Sequence, residues 1–479
     1  MNKSFLNIFK TTFLFSFVKI VQIFLGVIRN KVIAVYLGAE GIGLIGIFQS
    51  SIDLIVSGAG LGISKSAIRD ISNSYNYKDS NKLDQTISIS RNLYIYTAIL
   101  GLFSTIVLNK TLSTYTLGKS SFSLDYLFLS IVVFFNILTE GLIAIITGVR
   151  KMKILAKLSI LGSLVGLLSS VPLYVYFGKS AIVPSLIISS LSAFIFSNFY
   201  LSKIEYQKVK LKIRELINAG KPIIKMGFSL MFISFFGLLF NLILLAYLQK
   251  YSGMEVVGLY KAGTTVIVTY FGVILTAMTT DYYPRISAVY NDNFMILEEA
   301  NKQSEVGLLL VAPIAVLFII LAPLFFKYFY SDEFINAIEY TNFAIFGVIF
   351  MTVSNCLGMI FIAKQDSKFF TIYSFLHRVI FLIVYILFFN KYSLIGLGIA
   401  FLLDVLVQFI FYYIFLIKRH NIKLGNYIII QIIYSIALVL SAVLVSLYFD
   451  GLILIFSGVT ILLISVIISL FRTRKLLFQ

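Results

Sequence analysis

Lys19, Gln22, Gly26, Arg29 and Asn30 recur at three- and four-residue spacing inside an otherwise apolar stretch. At 100° per residue they fall within roughly a 100° arc, so a helix here carries a single polar stripe. The next apolar stretch sets Gly46, Gln49, Ser50, Asp53, Ser57 and Gly60 on one face. A later one does the same with Lys261, Thr264, Thr265, Gly272, Thr276 and Thr279. Asn136 and Glu140 stand one turn apart, as do Asp404 and Gln408, and Ser374, His377 and Arg378 cluster between them in a further stretch. An ionised side chain at the centre of a membrane helix costs about 2.5–3.5 kcal/mol, so such residues face protein or a water-filled cavity.

Lys19, Arg29, Lys261 and Arg378 bring only donors, the chemistry that holds phosphate. Gln22, Asn30, Gln49 and Thr265 would line the same lumen with neutral hydrogen-bonding groups. Asp53, Glu140 and Asp404 are the central acids. Each could titrate and couple transport to an ion, or neutralise a neighbour, as Asp404 would with Arg378. Five cations, counting Lys31, stand against three acids. That surplus favours an anionic solute over a cationic one. Lys31 lies near an outer end and can snorkel to the interface. The serines, threonines and glycines also suit helix packing.

The elements that must position these residues are membrane spans. Of 479 residues, 59% are hydrophobic and 13% charged, and mean hydropathy is +0.97. A soluble domain carries about 25% charge. Apolar runs near the 20 residues that a crossing needs lie at 11–37, 41–62, 92–109, 124–147, 157–177, 182–201, 223–248, 257–280, 306–326, 338–362, 370–389, 394–416, 427–448 and 453–471. The first run lacks a small-residue cleavage site and reads as a retained span. Of 39 Lys and Arg residues, 28 fall at the two ends, in the loops on their side or at the adjoining span edges (Lys157 and Lys225), and 6 in the opposite loops. Positive residues stay inside, so both termini are expected in the cytoplasm. The basic residues occupy eight separate segments, among them Arg150, Lys151 and Lys153, the run from Lys203 to Arg214, and Arg472, Arg474 and Lys475. They face lipid headgroups there, not nucleic acid. The longest cytoplasmic loops, 63–91 and 281–305, each read as one amphipathic surface helix.

Those loops hold matching places, and an offset of 215 residues aligns Gly43-Leu44 with Gly258-Leu259, Ile71-Ser72 with Ile286-Ser287, Ile145 with Ile360 and Lys153 with Lys368. The pattern predicts an all-α polytopic protein with two six-helix lobes, 1–221 and 222–426, in parallel pseudo-repeat, plus a helix pair over 427–479.

Nucleotide-driven chemistry has no support. Gly118-Lys119-Ser120 and Gly178-Lys179-Ser180 lack the glycine five residues earlier that a phosphate loop needs, and both sit in outward loops. Two histidines and one cysteine, Cys356, make no metal motif, and no nucleophile–base pair stands out. No cofactor is expected. An ion-coupled multidrug exporter and a membrane glycosyltransferase or polymerase remain as alternatives. The first would want surplus acid in its lumen, and the second large acidic outward loops.

Fourteen spans, a six-plus-six repeat and no nucleotide site resemble the multidrug/oligosaccharidyl-lipid/polysaccharide exporter superfamily. Lys10-Thr11-Thr12, Asn30-Lys31-Val32-Ile33-Ala34-Val35-Tyr36-Leu37-Gly38, Gly41-Ile42-Gly43-Leu44 and Tyr283-Pro284-Arg285-Ile286-Ser287 are similar to motifs of the Wzx-type O-antigen flippases. That resemblance implies a MATE-like fold in the bacterial inner membrane. It also implies that the protein turns undecaprenyl-pyrophosphate-linked oligosaccharide outward by alternating access through a cationic central cavity. The implied surroundings are membrane lipids, a polysaccharide polymerase and chain-length proteins, with the chain working as a monomer. In the similar lipid II flippases, cavity cations sit on spans one, two and eight. Lys19, Arg29 and Lys261 match spans one and eight, while span two offers Asp53 instead.

Overall fold

The computed structural model describes residues 3–76, 80–209, 213–364, 366–449 and 451–477. The side chains of the motif residues Lys10, Thr11 and Thr12, and of Arg214, Lys368 and Lys475, lie outside the described residues, as do Lys210 and Lys212.

The helices are α1 (Lys3–Ala59), α2 (Ile63–Asn76), α3 (Ser80–Leu117), α4 (Ser123–Gly148), α5 (Met152–Phe177), α6 (Ile182–Leu201), α7 (Ile213–Thr264), α8 (Phe271–Ala288), α9 (Asn293–Phe329), α10 (Ile338–Ala363), α11 (Ser367–His420), α12 (Asn426–Tyr448) and α13 (Gly451–Leu477). Among the described residues, ten continuous stretches are long and apolar enough to cross a bilayer. Four of them, Phe17–Ala59, Met152–Leu201, Ser234–Ala288 and Phe369–His420, run 43 to 55 residues. That is at least twice the ~20 residues of one crossing. Each is interrupted at a residue of positive φ: Gly38 (67°), Gly178 (57°), Gly253 (87°) and Ser393 (50°). Divided there, the stretches make the fourteen spans expected from hydropathy, in a multi-pass membrane protein.

The interruptions come in pairs. Gly38 and Gly253 are 215 residues apart, and so are Gly178 and Ser393. Helices α4 and α10 begin and end at that offset, and α5 and α11 begin at it. The weak sequence repeat is thus a repeat of backbone turns, with α12 and α13 added after it.

By backbone packing the chain divides into two compact units, Met1–Gly258 and Leu259–Gln479. The core of the first gathers Ile63, Ala67 and Ile71 of α2, Ile87, Leu93 and Tyr94 of α3, and Leu142 and Ile145 of α4. Helix α2 is therefore packed on its apolar side against α3 and α4. The expected single helix over 63–91 is corrected accordingly. Helix α2 ends at Asn76, and the polar residues from Ser80 are the opening turns of α3. Burial of Ile87 and Ile89 starts the helical pattern of span three before its hydropathy rises. Gly43 and Gly258, equivalent in the repeat, meet backbone to backbone. A Cβ on Gly258 would stand 1.9 Å from the Ala39 carbonyl oxygen, and one on Gly43 2.3 Å from that of Met254.

In the second unit, α12 and α13 pack on α9. The surface helix expected over 281–305 is also corrected. Helix α8 runs to Ala288 and α9 starts at Asn293, because the Asp292 carboxylate accepts from the amides of Phe294 (2.9 Å) and Met295 (3.1 Å). The motif residue Arg285 ties the two helices. It pairs with Glu299, lies 3.0 Å from Asp281 and donates to Gln303 Oε1 at 2.7 Å. Between α7 and α8, Thr265–Tyr270 is a π-helical turn. Its wider step adds a residue to the turn, so the face expected to run straight from Lys261 to Thr279 is split in two.

Candidate functional site

In the first unit the polar stripe of α1 divides its contacts. Gln22 donates to the Ser159 carbonyl of α5, a long bond of 3.4 Å. Lys19 is exposed, and Arg29 and Asn30 are half-buried. Val18 and Leu25, beside the stripe, are buried, which anchors that part of α1. Arg29 makes no hydrogen bond or ion pair among the described residues, and its Nε is buried with no acceptor. A guanidinium presents five donors in a fixed fork, and those of Arg29 meet no acceptor among the described residues.

Past the Gly38 break, Gln49 donates to Asp53 Oδ1 at 2.8 Å, one turn on. Asp53 and Glu140, 87 positions apart in the chain, come to one cavity of about 310 Å³. Its polar lining also includes Ser57, Ser64, Lys65 and Ser234. The two carboxylates act on each other, and the Lys65 ammonium acts on Glu140. Gly60 and Gly62 line the rim, where the chain turns from α1 into α2. That turn is tight: a Cβ on Gly62, whose φ is +62°, would stand 2.1 Å from the Gly227 carbonyl oxygen of α7. Lys19, Gln22, Arg29 and Asn30 do not line this cavity. Sequence reasoning gathered the two acids only by type, and it missed Lys65 altogether. The available signal was its position five residues past Gly60, at the end of the Asp53 face.

In the second unit, Lys261 is half-buried in α7. Its carbonyl accepts from the hydroxyls of Thr264 (3.1 Å) and Thr265 (2.7 Å) at the start of the π turn. The expected pairing of Asp404 with Arg378 is corrected. Asp404 Oδ1 lies 2.6 Å from His377 Nε2, and Tyr385 donates to Oδ2 at 3.4 Å. Arg378 is exposed and makes no ion pair among the described residues. Adjacent residues on a helix point 100° apart, so only one of His377 and Arg378 can face the arm that carries Asp404.

Known proteins share this architecture. A lipid II flippase, MurJ, in an inward closed conformation superposes with a TM-score of 0.73 at 17% identity, covering 98% of this chain and 100% of that one. An inward-facing multidrug resistance MATE family transporter of the MOP superfamily gives 0.65 at 14% identity, over 88% of this chain and 99% of that one. A variant of the Vibrio cholerae MATE transporter VcmN gives 0.60 at 15%, over 85% and 94%. At such identities the likeness establishes a shared fold. A search of curated proteins returned no match. The model of the polysaccharide biosynthesis protein family matches residues 8–290. That match spans more than half of the chain, from the opening span through the Tyr283-Pro284-Arg285 motif, and the protein belongs to the polysaccharide biosynthesis protein family.

Proposed function

We propose that the protein is a flippase that carries undecaprenyl-pyrophosphate-linked oligosaccharide, an O-antigen-like repeat unit, from the cytoplasmic to the outer face of the bacterial inner membrane by alternating access. The observation that carries this reading is Arg29, a half-buried guanidinium in a membrane span with a buried donor and, among the described residues, no acceptor. Such a group is expensive in hydrocarbon and matches a pyrophosphate oxygen pair. Lys19, Arg29, Lys261 and Arg378 are the cations proposed to meet the phosphates, and Gln22, Asn30, Gln49 and Thr265 the neutral groups proposed to contact the solute. Both termini are cytoplasmic in this reading, and the lobes are 1–221 and 222–426 with the pair 427–479 appended. The sugar cannot cross hydrocarbon alone, because its hydroxyls would lose their hydrogen bonds. With the inside negative, outward movement of pyrophosphate is driven by about 2.3 kcal/mol per charge per 100 mV.

In a deletion strain, the wild-type gene restores surface polysaccharide and Arg29→Lys restores part of it. Arg29→Gln inserts normally and leaves precursor on the cytoplasmic side. Full restoration by Arg29→Gln refutes the assignment. The acid-lined cavity at Asp53 and Glu140 favours a second reading, export of organic cations. An unchanged drug-resistance profile in the deletion strain excludes it.

A further inference from the structure

The proposed transport route leaves one buried ionisable pair unused. His377 is 7% exposed, and its Nε2 lies 2.6 Å from Asp404 Oδ1. Its other ring nitrogen, Nδ1, is 3.1 Å from the Tyr373 hydroxyl. Both ring nitrogens are thus engaged, on opposite sides, inside a membrane-spanning stretch. The ring also packs against Phe381, with centroids 4.5 Å apart. His377 precedes the Ser393 break of α11 and Asp404 follows it, so the pair bridges spans eleven and twelve.

Among the described residues, the ionisable groups that act on the pair or its neighbours are tyrosines and one arginine. On α11, Tyr373, Tyr385 and Tyr412 face it, with Arg378 acting on Tyr412 from the exposed side. From the packed helices, Tyr260 of α7 and Tyr340 of α10 face Asp404, their rings meeting edge to face 5.2 Å apart. Among these groups Asp404 is the sole carboxylate.

We infer that His377 and Asp404 form a proton-binding site, with its ligand held on the imidazole and balanced by the carboxylate. Imidazole is the side chain that changes charge in the physiological range. In the neutral state Nε2–H donates to Asp404, and Nδ1 accepts from the Tyr373 hydroxyl. Uptake places the incoming proton on the Nδ1 lone pair. The Tyr373 hydroxyl then turns to accept from Nδ1–H. The cation so formed lies against an anion, which spares it the cost of an isolated charge at membrane depth. A neutral ring–carboxylate bond becomes an ion pair, so each proton bound tightens the tie between the two spans. Asp53 and Glu140 of the first unit also carry protonatable groups, but there the cavity already holds a fixed cation, Lys65. The second unit supplies a base and its counter-ion together, and among the described residues no Lys or Arg pairs with Asp404.

The site rests on the transporter reading for its use but not for its existence, and two measurements separate them. The chain has two histidines, so nitrogen-15 histidine labelling of the full chain in nanodiscs gives two imidazole environments. His377→Gln removes one, and His420→Gln removes the other. The His377 signal is expected to move from its neutral to its charged position on acidification. Asp404→Asn should displace that signal, because it replaces the carboxylate that Nε2 faces at 2.6 Å. A His377 signal that keeps one protonation state throughout, or that is indifferent to Asp404→Asn, overturns the inference. In proteoliposomes loaded with a fluorescent undecaprenyl-pyrophosphate-linked oligosaccharide, a one-unit pH gradient should shift the inward-to-outward distribution about tenfold for one proton exchanged. His377→Gln should abolish that response while exchange persists. A response to a sodium gradient in place of the pH gradient overturns the inference. Absence of any exchange in the wild type refutes the flippase reading and leaves the spectra to decide the proton site.

Discussion

Replacing Gly258 by alanine tests a close backbone contact between helices in the first unit. The added Cβ would stand 1.9 Å from the Ala39 carbonyl oxygen and 2.7 Å from its carbon, where ordinary contact begins at 3.4 Å. Both obstacles are backbone, so no side chain can swing away, and the helices must part by about 1.5 Å to restore contact distance. Overpacking of this kind costs about 1–3 kcal/mol. Loss of the close Cα–H···O approach adds about 0.5–1 kcal/mol. Alanine returns about 1 kcal/mol of helix propensity. The net is a loss of about 2 kcal/mol. Gly162 of α5 supplies the control, because a Cβ there meets nothing within 4 Å, and Gly162→Ala should gain up to about 1 kcal/mol. Unfolding in mild detergent, followed by circular dichroism, should separate the two variants by about 3 kcal/mol. If Gly258→Ala is as stable as Gly162→Ala, the backbone contact between the repeat-equivalent glycines is not a stabilising feature and the reasoning fails.

Ser393 has a φ of 50°, close to the 57° that its repeat partner Gly178 takes as glycine. Ser393→Gly should therefore relieve strain and stabilise by about 1 kcal/mol in the same unfolding assay, and a loss of stability would refute the strain. Tyr126 places its hydroxyl 3.0 Å from Ser51 Oγ and 2.7 Å from Thr116 Oγ1 in a fully buried site. Tyr126→Phe should cost about 1 kcal/mol, the upper range for hydrogen bonds in membrane bundles. Arg285→Leu leaves Glu299 and Gln303 without their shared donor. Because that guanidinium is itself 39% exposed, the expected loss is only about 1 kcal/mol, visible as earlier proteolysis at the turn between α8 and α9.

Much of this architecture is legible in the sequence because the bilayer imposes it. Apolar length counts the spans, and the offset of 215 residues aligns Gly43 with Gly258 without any knowledge of the backbone. Ser393 is invisible, since a serine carries no local sign of positive φ. Only its register with Gly178 discloses it. The two cytoplasmic loops mislead for one reason. Polar opening turns of α3, and polar ends of α8 and α9, have the amphipathic spacing of a surface helix, and hydropathy cannot tell a membrane helix that emerges into water from a separate one lying flat. At the site, residue types are readable and partners are not. Asp53 and Glu140 approach through tertiary packing, Lys65 looks like one more cytoplasmic cation, and the choice between His377 and Arg378 for Asp404 turns on a 100° rotation that spacing alone leaves open.

The π turn at Thr265–Tyr270 makes span eight two rods joined by a coupling that stores one residue of slack. The phase between the rods belongs to the coupling, not to the sequence on either side. Removing one residue there would screw the Lys261 rod about 100° and 1.5 Å against the rod carrying Gly272 and Thr279, re-aiming a cation without bending the helix or breaking a bond.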